Sequence, residues 1–149
     1  MIKIKLKKIS KQVKNNYIPS YGTKGSGALD LHAHLEKNIT IYPNEVKLIN
    51  TGISIYIENS NYAGLIIPRS GLGHKHGIVL GNLIGLIDSD YQGELKISCW
   101  NKSSKQYIIH PGDRIAQMLI LEVKKVNFEL VENFEKTDRN SNGFGHTGI

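Results

Sequence analysis

The sequence predicts a single all-β domain, either a sandwich or a barrel. Apolar and polar residues alternate with period two along several short runs, among them residues 29–36 and 95–100. Gly, Pro and Asn separate these runs at short, regular intervals. The 149 residues have the length of one domain and show neither an internal repeat nor an interdomain linker. Short strands spaced in this way are typical of all-β sandwiches and barrels.

The alternation places the elements in order along the chain. The first predicted strand is rich in lysine and carries Lys3, Lys5 and Lys7 on one face. The later predicted strands are residues 29–36, 39–42, 46–49, 53–58, 63–67, 79–82, 95–100, 107–109, 114–122 and 127–131. A single helical turn is expected after Ser70. The last residues lack periodicity, so we expect a β domain over residues 1–136 and a flexible, Gly-rich arm over residues 137–149.

The charge of the chain comes mainly from lysine. The net charge is +6, and six of the sixteen lysines fall within the first fourteen residues. This pattern favours a solvated edge strand over a nucleic-acid stripe, so no direct contact with nucleic acid is expected. Only three arginines occur: Arg69, Arg114 and Arg139. Since the guanidinium binds phosphate through two parallel hydrogen bonds, these arginines are candidate phosphate ligands.

Several classes of protein are disfavoured by the composition. Cys99 is the only cysteine, which excludes an intramolecular disulfide and a cysteine-cluster zinc site. No apolar run is long enough to span a bilayer, and the start of the chain lacks the apolar core of a signal peptide. We therefore expect a cytoplasmic protein that does not contact a membrane.

The most informative segment is residues 85–94, Gly-Leu-Ile-Asp-Ser-Asp-Tyr-Gln-Gly-Glu. Apolar runs flank it, and Asp88, Asp90 and Gly93 are turn formers, so the segment predicts a β-hairpin. Taken alone, it fits an ordinary acidic turn. The addition of Tyr91 also places a ring, a carboxylate and free backbone groups together, which could bind a nucleoside and activate a water molecule.

Four further segments complete a pattern. They are residues 27–33 (Gly-Ala-Leu-Asp-Leu-His-Ala), 68–73 (Pro-Arg-Ser-Gly-Leu-Gly), 112–118 (Gly-Asp-Arg-Ile-Ala-Gln-Met) and the arm 137–149. With residues 85–94 they contain, or directly adjoin, every aspartate and arginine of the chain. In this order the five segments resemble the motifs of the trimeric deoxyuridine triphosphate nucleotidohydrolases, the dUTPases. The resemblance implies an eight-stranded, jelly-roll-like fold and a homotrimer whose active sites lie at the subunit interfaces.

The resemblance also implies an activity, the hydrolysis of dUTP to dUMP and pyrophosphate, which limits uracil in DNA and supplies dUMP. Asp88 matches the residue that deprotonates the water attacking the α-phosphorus. Tyr91 matches the ring beneath the deoxyribose, and Asn82 lies beside the backbone that would read uracil. The remaining implied substrate ligands are Arg69, Ser70, Gly71 and Gln117 for the phosphates, and Arg139, Phe144, Gly145, His146 and Thr147 in the arm.

The implied cofactor is Mg²⁺, held mainly by the phosphates and by water, with Asp30 binding a water of the metal. Some alternatives remain open. Ser70 could also cap the helical turn, and Arg114, beside Asp113, fits a structural role. The pairs His32/His34 and His74/His76 lack a third zinc ligand. The rival functions are a dCTP deaminase, an inactive nucleotide-binding relative, and a basic barrel for single-stranded nucleic acid.

Two segments depart from the family pattern. Gly27 and Ala28 stand in the reverse of the usual order, and the arm has Asn140 and Asn142 where glycines are common. Asparagine tolerates the left-handed backbone region better than most residues. From the two asparagines we expect an arm that closes more slowly or less tightly and still allows activity.

Overall fold

The structure, a computed structural model, describes residues 2–141 and contains ten strands in that part of the chain. The strands are β1 (Lys5–Lys8), β2 (Leu29–His32), β3 (Ile39–Ile41), β4 (Val46–Tyr56), β5 (Tyr62–Ile67), β6 (Ile78–Leu80), β7 (Gly85–Ile87), β8 (Glu94–Asn101), β9 (Tyr107–Ile109) and β10 (Arg114–Glu122). One α-helix, α1 (Ser70–His76), and one 3-10 helix (Asn15–Tyr17) accompany them. The all-β prediction is confirmed.

Two four-stranded antiparallel sheets form the domain. One has the order β1-β4-β8-β6 and the other β2-β10-β5-β7, and β3 pairs with β9 separately. A single buried apolar cluster draws residues from both sheets, with Ile49 and Ile97 from the first and Leu31 and Met118 from the second. Because inward residues alternate with outward ones along each strand, the period-two pattern of the sequence marks the core directly.

Strand β4 is longer than the sequence predicts. Two separate strands, 46–49 and 53–58, were expected, but Val46–Tyr56 is continuous and changes register with β8 between Asn50 and Ser54. Gly52 lies at this irregularity with φ +71°. A Cβ there would stand 2.6 Å from Val13 Cγ2 and 2.8 Å from the His34 ring, so the position accepts only glycine. The bulge lets β4 pair with β8 over one part of its length and with β1 over another.

Helix α1 is two turns long rather than the single turn predicted, and it docks against a loop that Asn101 organises. Asn101 is fully buried; its Nδ2 donates to the Ile41 and Lys105 carbonyls at 2.9 and 2.8 Å. Its Oδ1 accepts from the backbone N–H and the hydroxyl of Ser103. Gly77, with φ +69°, ends the helix directly against Ser103. The helix therefore has a fixed end, and its other end carries part of the candidate site.

The chain beyond Glu122 lacks regular structure as far as residue 141. The strand predicted over residues 127–131 is wrong, since no strand forms there. Apolar residues in and just after this segment are exposed instead, with Phe128 at 97%, Leu130 at 100% and Phe134 at 91%. A strand needs a hydrogen-bonded neighbour, and residues 127–131 pair with no strand in the part of the chain that the structure describes.

The lysine-rich start of the chain forms the predicted edge strand. β1 lies at the edge of its sheet with Lys5 and Lys7 exposed, and Lys5 pairs with Glu58 at 2.7 Å. In residues 2–141, no helix combines the length and the apolar character needed to cross a membrane. Whether residues 137–149 act as an arm stays a prediction.

Candidate active site

The predicted site residues that the structure describes fall mainly into two groups, and each group lines its own cavity. The first cavity, about 350 Å³, is named the arginine groove. It is lined by Gly22, Ser26, Gly27, Ala28, Asp30, Arg69, Ser70, Gly71, Arg114 and Gln117. The second, about 340 Å³, is named the turn cavity. It is lined by Leu48, Leu86, Ile87, Asp88, Tyr91, Glu94, Leu95 and Lys96.

Strand register builds the arginine groove. Gln117 in β10 stands between Asp30 in β2 and Ile67 in β5, as their direct partner on either side. Arg69 and Ser70 follow β5 at the same end of the sheet. Three segments that are far apart in sequence therefore meet at one edge. The side-chain amide of Gln117 donates to the Pro68 carbonyl at 3.0 Å, which fixes the loop that leads to Arg69.

Asp30 holds two arginines at once. Arg69 Nε donates to its Oδ1 and Arg114 Nη1 to its Oδ2, both at 3.0 Å, while Arg69 Nη1 donates to the Arg114 carbonyl at 3.1 Å. Only 16% of the Asp30 side chain is exposed. Two cations and one anion leave a net positive charge in the groove, which suits a phosphate ligand. Arg114 thus pairs with Asp30, while its chain neighbour Asp113 accepts from the backbone N–H of His110.

Ser70 begins helix α1 and does not cap it. The residue at the N-cap is Arg69, which makes no side-chain hydrogen bond to the helix, so the expected capping role of Ser70 is wrong. Ser70 is exposed on the arginine groove, and a Cβ on the neighbouring Gly71 would meet nothing within 4 Å. This end of α1 is open to a ligand.

The segment 85–94 turns the chain without forming a hairpin ladder. β7 pairs with β5, β8 pairs with β4 and β6, and no pairing joins β7 to β8. The predicted hairpin is therefore a turn between two sheets, in which Tyr91 N–H donates to the Asp88 carbonyl at 3.2 Å. β7 and β8 therefore belong to different sheets, and the turn cavity is lined by Leu86 and Ile87 of one and by Leu95 and Lys96 of the other.

The Tyr91 ring is fixed across Gly93. Its hydroxyl donates to the Glu94 carbonyl at 3.1 Å, and a Cβ on Gly93 would stand 2.6 Å from the ring carbon Cζ. Glu94 is itself held, since its Oε1 accepts the Gly52 N–H at 2.9 Å. The result is an exposed ring, 44% accessible, at a defined position beside the exposed Asp88.

Asn82 and Arg139 lie in two other turns of the chain. Asn82 is in the turn between β6 and β7, and its Nδ2 lies 3.7 Å from where a Cβ on Gly85 would stand. Arg139 is exposed in a turn closed by hydrogen bonds between Thr137 and Asn140. Four predicted arm residues lie outside the described residues: Phe144, Gly145, His146 and Thr147.

The two groups of residues lie apart within one chain. Ile87, just before Asp88, pairs with Gly64, whereas Arg69 follows the far end of β5 beyond Ile67. Strands rise about 3.3 Å per residue, so about 10 Å separates Gly64 from Ile67 alone. Asp88 and Arg69 lie beyond opposite ends of the interval from Gly64 to Ile67. Each cavity therefore holds only part of the predicted active-site residues.

Two other reactive candidates lie outside these cavities. Burial raises the pKa of the Cys99 thiol to about 12, so it stays protonated and is not a nucleophile. His32 stacks on Tyr17, with ring centroids 5.7 Å apart, and its Nδ1 has no hydrogen-bond partner within the described chain. Burial lowers the pKa of His32, although the nearby Asp30 opposes this. The histidine is therefore predominantly neutral at pH 7.

Metal-binding clusters are absent from residues 2–141, where no group of three or more His, Cys, Asp or Glu could hold an ion. The histidine pairs found in the sequence thus gain no third ligand in this part of the chain. Sequence reasoning missed Leu48, Leu86 and Lys96 as cavity residues. Lys96 could have been found, because it lies on the polar face of a strand that directly follows the acidic turn.

Comparisons with known proteins identify the family of this chain. The family model described as dUTPase matches residues 14–148. A deoxyuridine 5'-triphosphate nucleotidohydrolase of Idiomarina loihiensis is 60% identical over 131 residues, 88% of this chain and 87% of that protein. The corresponding protein of Coxiella burnetii is 54% identical over 146 residues, 97% of this chain and 96% of its own.

Among solved structures, the Staphylococcus bacteriophage 80alpha dUTPase G164S mutant with dUpNHpp shares the fold, with a TM-score of 0.86. It is 24% identical, and the match covers both chains completely. The family match spans nearly the whole sequence, the two bacterial relatives exceed half identity, and the strands superpose on a known dUTPase. The chain belongs to the dUTPase family.

Proposed function

We propose that this protein hydrolyses dUTP to dUMP and pyrophosphate at a site shared between subunits of a homotrimer. The observation that carries the proposal is the pair of complementary half-sites, one cationic and one acidic with a fixed ring. Each is incomplete alone, and both lie in a chain of the dUTPase family.

The arginine groove is suited to the triphosphate. Arg69 presents a guanidinium already oriented by Asp30, and Ser70 and Gly71 leave the adjacent loop open. Guanidinium–phosphate hydrogen bonds are charge-assisted and about twice as strong as neutral ones. Gln117 supports the same loop through Pro68 and has one more N–H to offer a phosphate oxygen. These contacts favour a polyanion over a neutral nucleoside.

The turn cavity is suited to the deoxynucleoside. The Tyr91 ring offers a flat, rigid surface on which a deoxyribose fits and a 2′-hydroxyl does not. The backbone edges of β7 and β8, with Asn82 near the start of β7, supply donors and acceptors for a pyrimidine. The selection thus combines exclusion at the sugar with hydrogen bonding at the base.

Asp88 is assigned the proton transfer. Its carboxylate stands exposed on the turn, three residues from the ring that would carry the sugar, and accepts a proton from a water in line with the α-phosphorus. The water then bonds to that phosphorus as the bond to the β-phosphate oxygen breaks, and pyrophosphate leaves. A general base of this kind typically contributes about 10²–10⁴-fold.

A second copy of the chain completes each site. Asp88 follows Ile87, the partner of Gly64, whereas Arg69 follows the other end of β5, so we infer that a nucleotide on Tyr91 meets the arginine groove of another subunit. A third subunit would contribute its residues 137–149, with Arg139 and Phe144 closing over the nucleotide. The exposed Phe128 and Leu130 support assembly, because the chain itself leaves them uncovered.

The carboxylates of the described residues fit a Mg²⁺ ion that is bound mainly by the phosphates of the substrate. The described residues offer carboxylates singly and not in a cage, which matches an ion bound mainly by phosphates and water. Asp30 is the residue that would hold a metal-bound water, through lone pairs that its two arginines leave free. When bound, the ion neutralises charge developing on the phosphates. We place the enzyme in the cytoplasm, where its substrate occurs.

The first test is pyrophosphate release with Mg²⁺ from dUTP, dCTP, dTTP and UTP. We expect release from dUTP in strong preference to the others. Ammonia release from dCTP would instead indicate a deaminase, and no reaction with any of the four would indicate an inactive relative. Asp88→Asn should lose at least ~10²-fold in kcat and still bind nucleotide. Asp90→Asn is the matched control, since it removes a carboxylate from the same turn.

Mixed trimers test the shared site. Asp88→Asn and Arg69→Ala subunits should each be inactive as homotrimers. When they are unfolded together and refolded, some sites would combine an intact Asp88 with an intact Arg69 from a different chain. We expect partial recovery of activity. Failure to recover, with mixed trimers shown to form, would place both residues in one chain's site and contradict the proposal.

A further inference from the structure

Tyr17 lies outside the five segments that resemble the family motifs, yet it packs against two of them. Its ring stacks on His32 of β2, with the ring centroids 5.7 Å apart and an interplanar angle of 14°. The same ring lies against Gly112, where an added Cβ would stand 2.6 Å from the Tyr17 hydroxyl oxygen and 2.8 Å from its Cε1. One side chain therefore contacts both β2 and the turn that leads into β10.

The segment that carries Tyr17 is itself anchored. Tyr17 is the last residue of the 3-10 helix, and Val13, just before that helix, is 1% exposed and belongs to the core. Lys8 Nζ donates to the Val13 carbonyl at 2.9 Å and to Asn15 Oδ1 at 2.6 Å, which ties the helix to the end of β1. The ring is therefore held from behind and cannot drift away from the surfaces on which it packs.

The two surfaces under the Tyr17 ring carry the two acceptors that orient Arg69. Arg69 Nε donates to Asp30, which lies two residues before the stacked histidine and on the same face of β2. Arg69 Nη1 donates to the Arg114 carbonyl, two residues after the glycine against which the ring lies. A shift of either surface would therefore move one of the two acceptors away from the guanidinium.

The pairing of β2 with β10 is irregular at the place where Tyr17 packs. Arg114 is the partner of His32, but the next pair joins Ala116 to Leu31, so β10 holds one extra residue between the two pairs. Such a bulge changes the direction of nearby side chains and interrupts the hydrogen-bond ladder. Since the ladder is weakened there, a ring that contacts both strands can set their spacing.

We propose that Tyr17 is a positioning residue for the triphosphate. Its ring holds β2 and the turn before β10 at the spacing at which Asp30 and the Arg114 carbonyl both bind Arg69. This inference rests on the proposed function and deepens it, because it makes the phosphate affinity of the arginine groove depend on a residue outside the motifs. The base and sugar are assigned to the turn cavity, so Tyr17 acts on phosphate binding and not on nucleoside binding.

The test compares Tyr17→Leu and Tyr17→Phe with wild type. For Tyr17→Leu we expect KM for dUTP and the inhibition constant of inorganic pyrophosphate to rise about tenfold, by the usual size of a charge-assisted hydrogen bond. The inhibition constant of deoxyuridine, which has no phosphate, should not change. A purely structural defect would instead reduce the fraction of active enzyme, which lowers kcat and leaves KM unchanged. Tyr17→Phe keeps the ring and should behave as wild type.

The matched control is Tyr56→Leu, which should leave all three constants unchanged. Tyr56 is also half-buried, and a lysine ammonium lies 5.3 Å from its ring centroid, against 5.8 Å for Tyr17. It stands on β4 and is not among the described residues that line the arginine groove. If Tyr17→Leu does not fold, His32→Leu removes the same stacking contact from the other side and should raise the same two constants.

Two results would overturn the inference. One is unchanged pyrophosphate inhibition in the folded variant, and the other is an equal loss of affinity for deoxyuridine. A wild-type protein that does not hydrolyse dUTP contradicts the proposed function and this inference together. An active wild type whose constants Tyr17→Leu leaves unchanged contradicts this inference alone.

Discussion

Gly93→Ala should disturb sugar selection without unfolding the chain. An added Cβ would stand 2.6 Å from Tyr91 Cζ and 3.0 Å from Cε2, and closer still to the hydroxyl oxygen. Ordinary contact begins at 3.4 Å, so the ring must retreat by about 0.8 Å. Since 44% of Tyr91 is exposed, the ring can move into solvent, and the core is not involved.

The structure sets the size of the effect. The displacement stretches the 3.1 Å hydrogen bond from Tyr91 to the Glu94 carbonyl toward breaking. A lost exposed hydrogen bond costs at most about 1 kcal/mol of folding free energy. A misplacement near 1 Å in a site, by contrast, can cost on the order of 10²-fold in rate. We therefore expect a large kinetic change with little change in stability.

The assay is kcat/KM for dUTP and UTP, with urea unfolding measured in parallel. For Gly93→Ala, kcat/KM for dUTP should fall about 10–100-fold, and the preference for dUTP over UTP should shrink. Gly25→Ala is the control, because a Cβ there would meet nothing within 4 Å. Wild-type kinetics in Gly93→Ala would refute the reasoning that the fixed ring sets the sugar preference.

Three other perturbations give defined outcomes. Asp30→Asn replaces one of two acceptors by a donor facing two guanidiniums, so kcat/KM for dUTP should fall at least about tenfold; unchanged kinetics would show that the arginines need no anchor. Asn101→Ala removes the buried donor to the Ile41 carbonyl and the acceptor of the Ser103 backbone N–H, and urea unfolding should show a loss of about 3 kcal/mol. Burial lowers the pKa of His32 below its ordinary 6.5, so the unfolded chain binds more protons there and stability should fall as pH drops through 6.5. The urea midpoint of His32→Gln should depend less on pH over this range, and an identical pH dependence would contradict the assignment.

The local pattern of the sequence predicted most of the strands, and pairing between distant segments accounts for the misses. The alternation in residues 95–100 reflects a strand with one face in the core, and β8 forms there. Residues 127–131 show strand-like composition too, but strand formation depends on a partner, and residues 2–141 provide none. The sequence also did not show which strands pair with β7 and β8. The same acidic turn residues can join two strands of one sheet or strands of two different sheets.

The sequence predicted the residues of the candidate site better than it predicted the contacts between them. The motif around Asp30 was recognised, yet its pairing with Arg114, 84 positions away, depends on the register between β2 and β10. Asn101 was missed because a polar residue inside an apolar strand gives no sign of the loop that it will organise. Lys96 was missed because only the folded chain shows that its face of β8 borders the turn cavity.

The hydrogen bonds of Asp30 to two arginines also affect the entropy that this protein would lose when it binds a ligand. Long, flexible side chains usually lose freedom on association, at about 0.5–1.5 kcal/mol for each one immobilised. Here Arg69 is restrained before any ligand arrives, so that entropy is lost during folding instead. A groove prepared in this way would capture an anion with little local rearrangement.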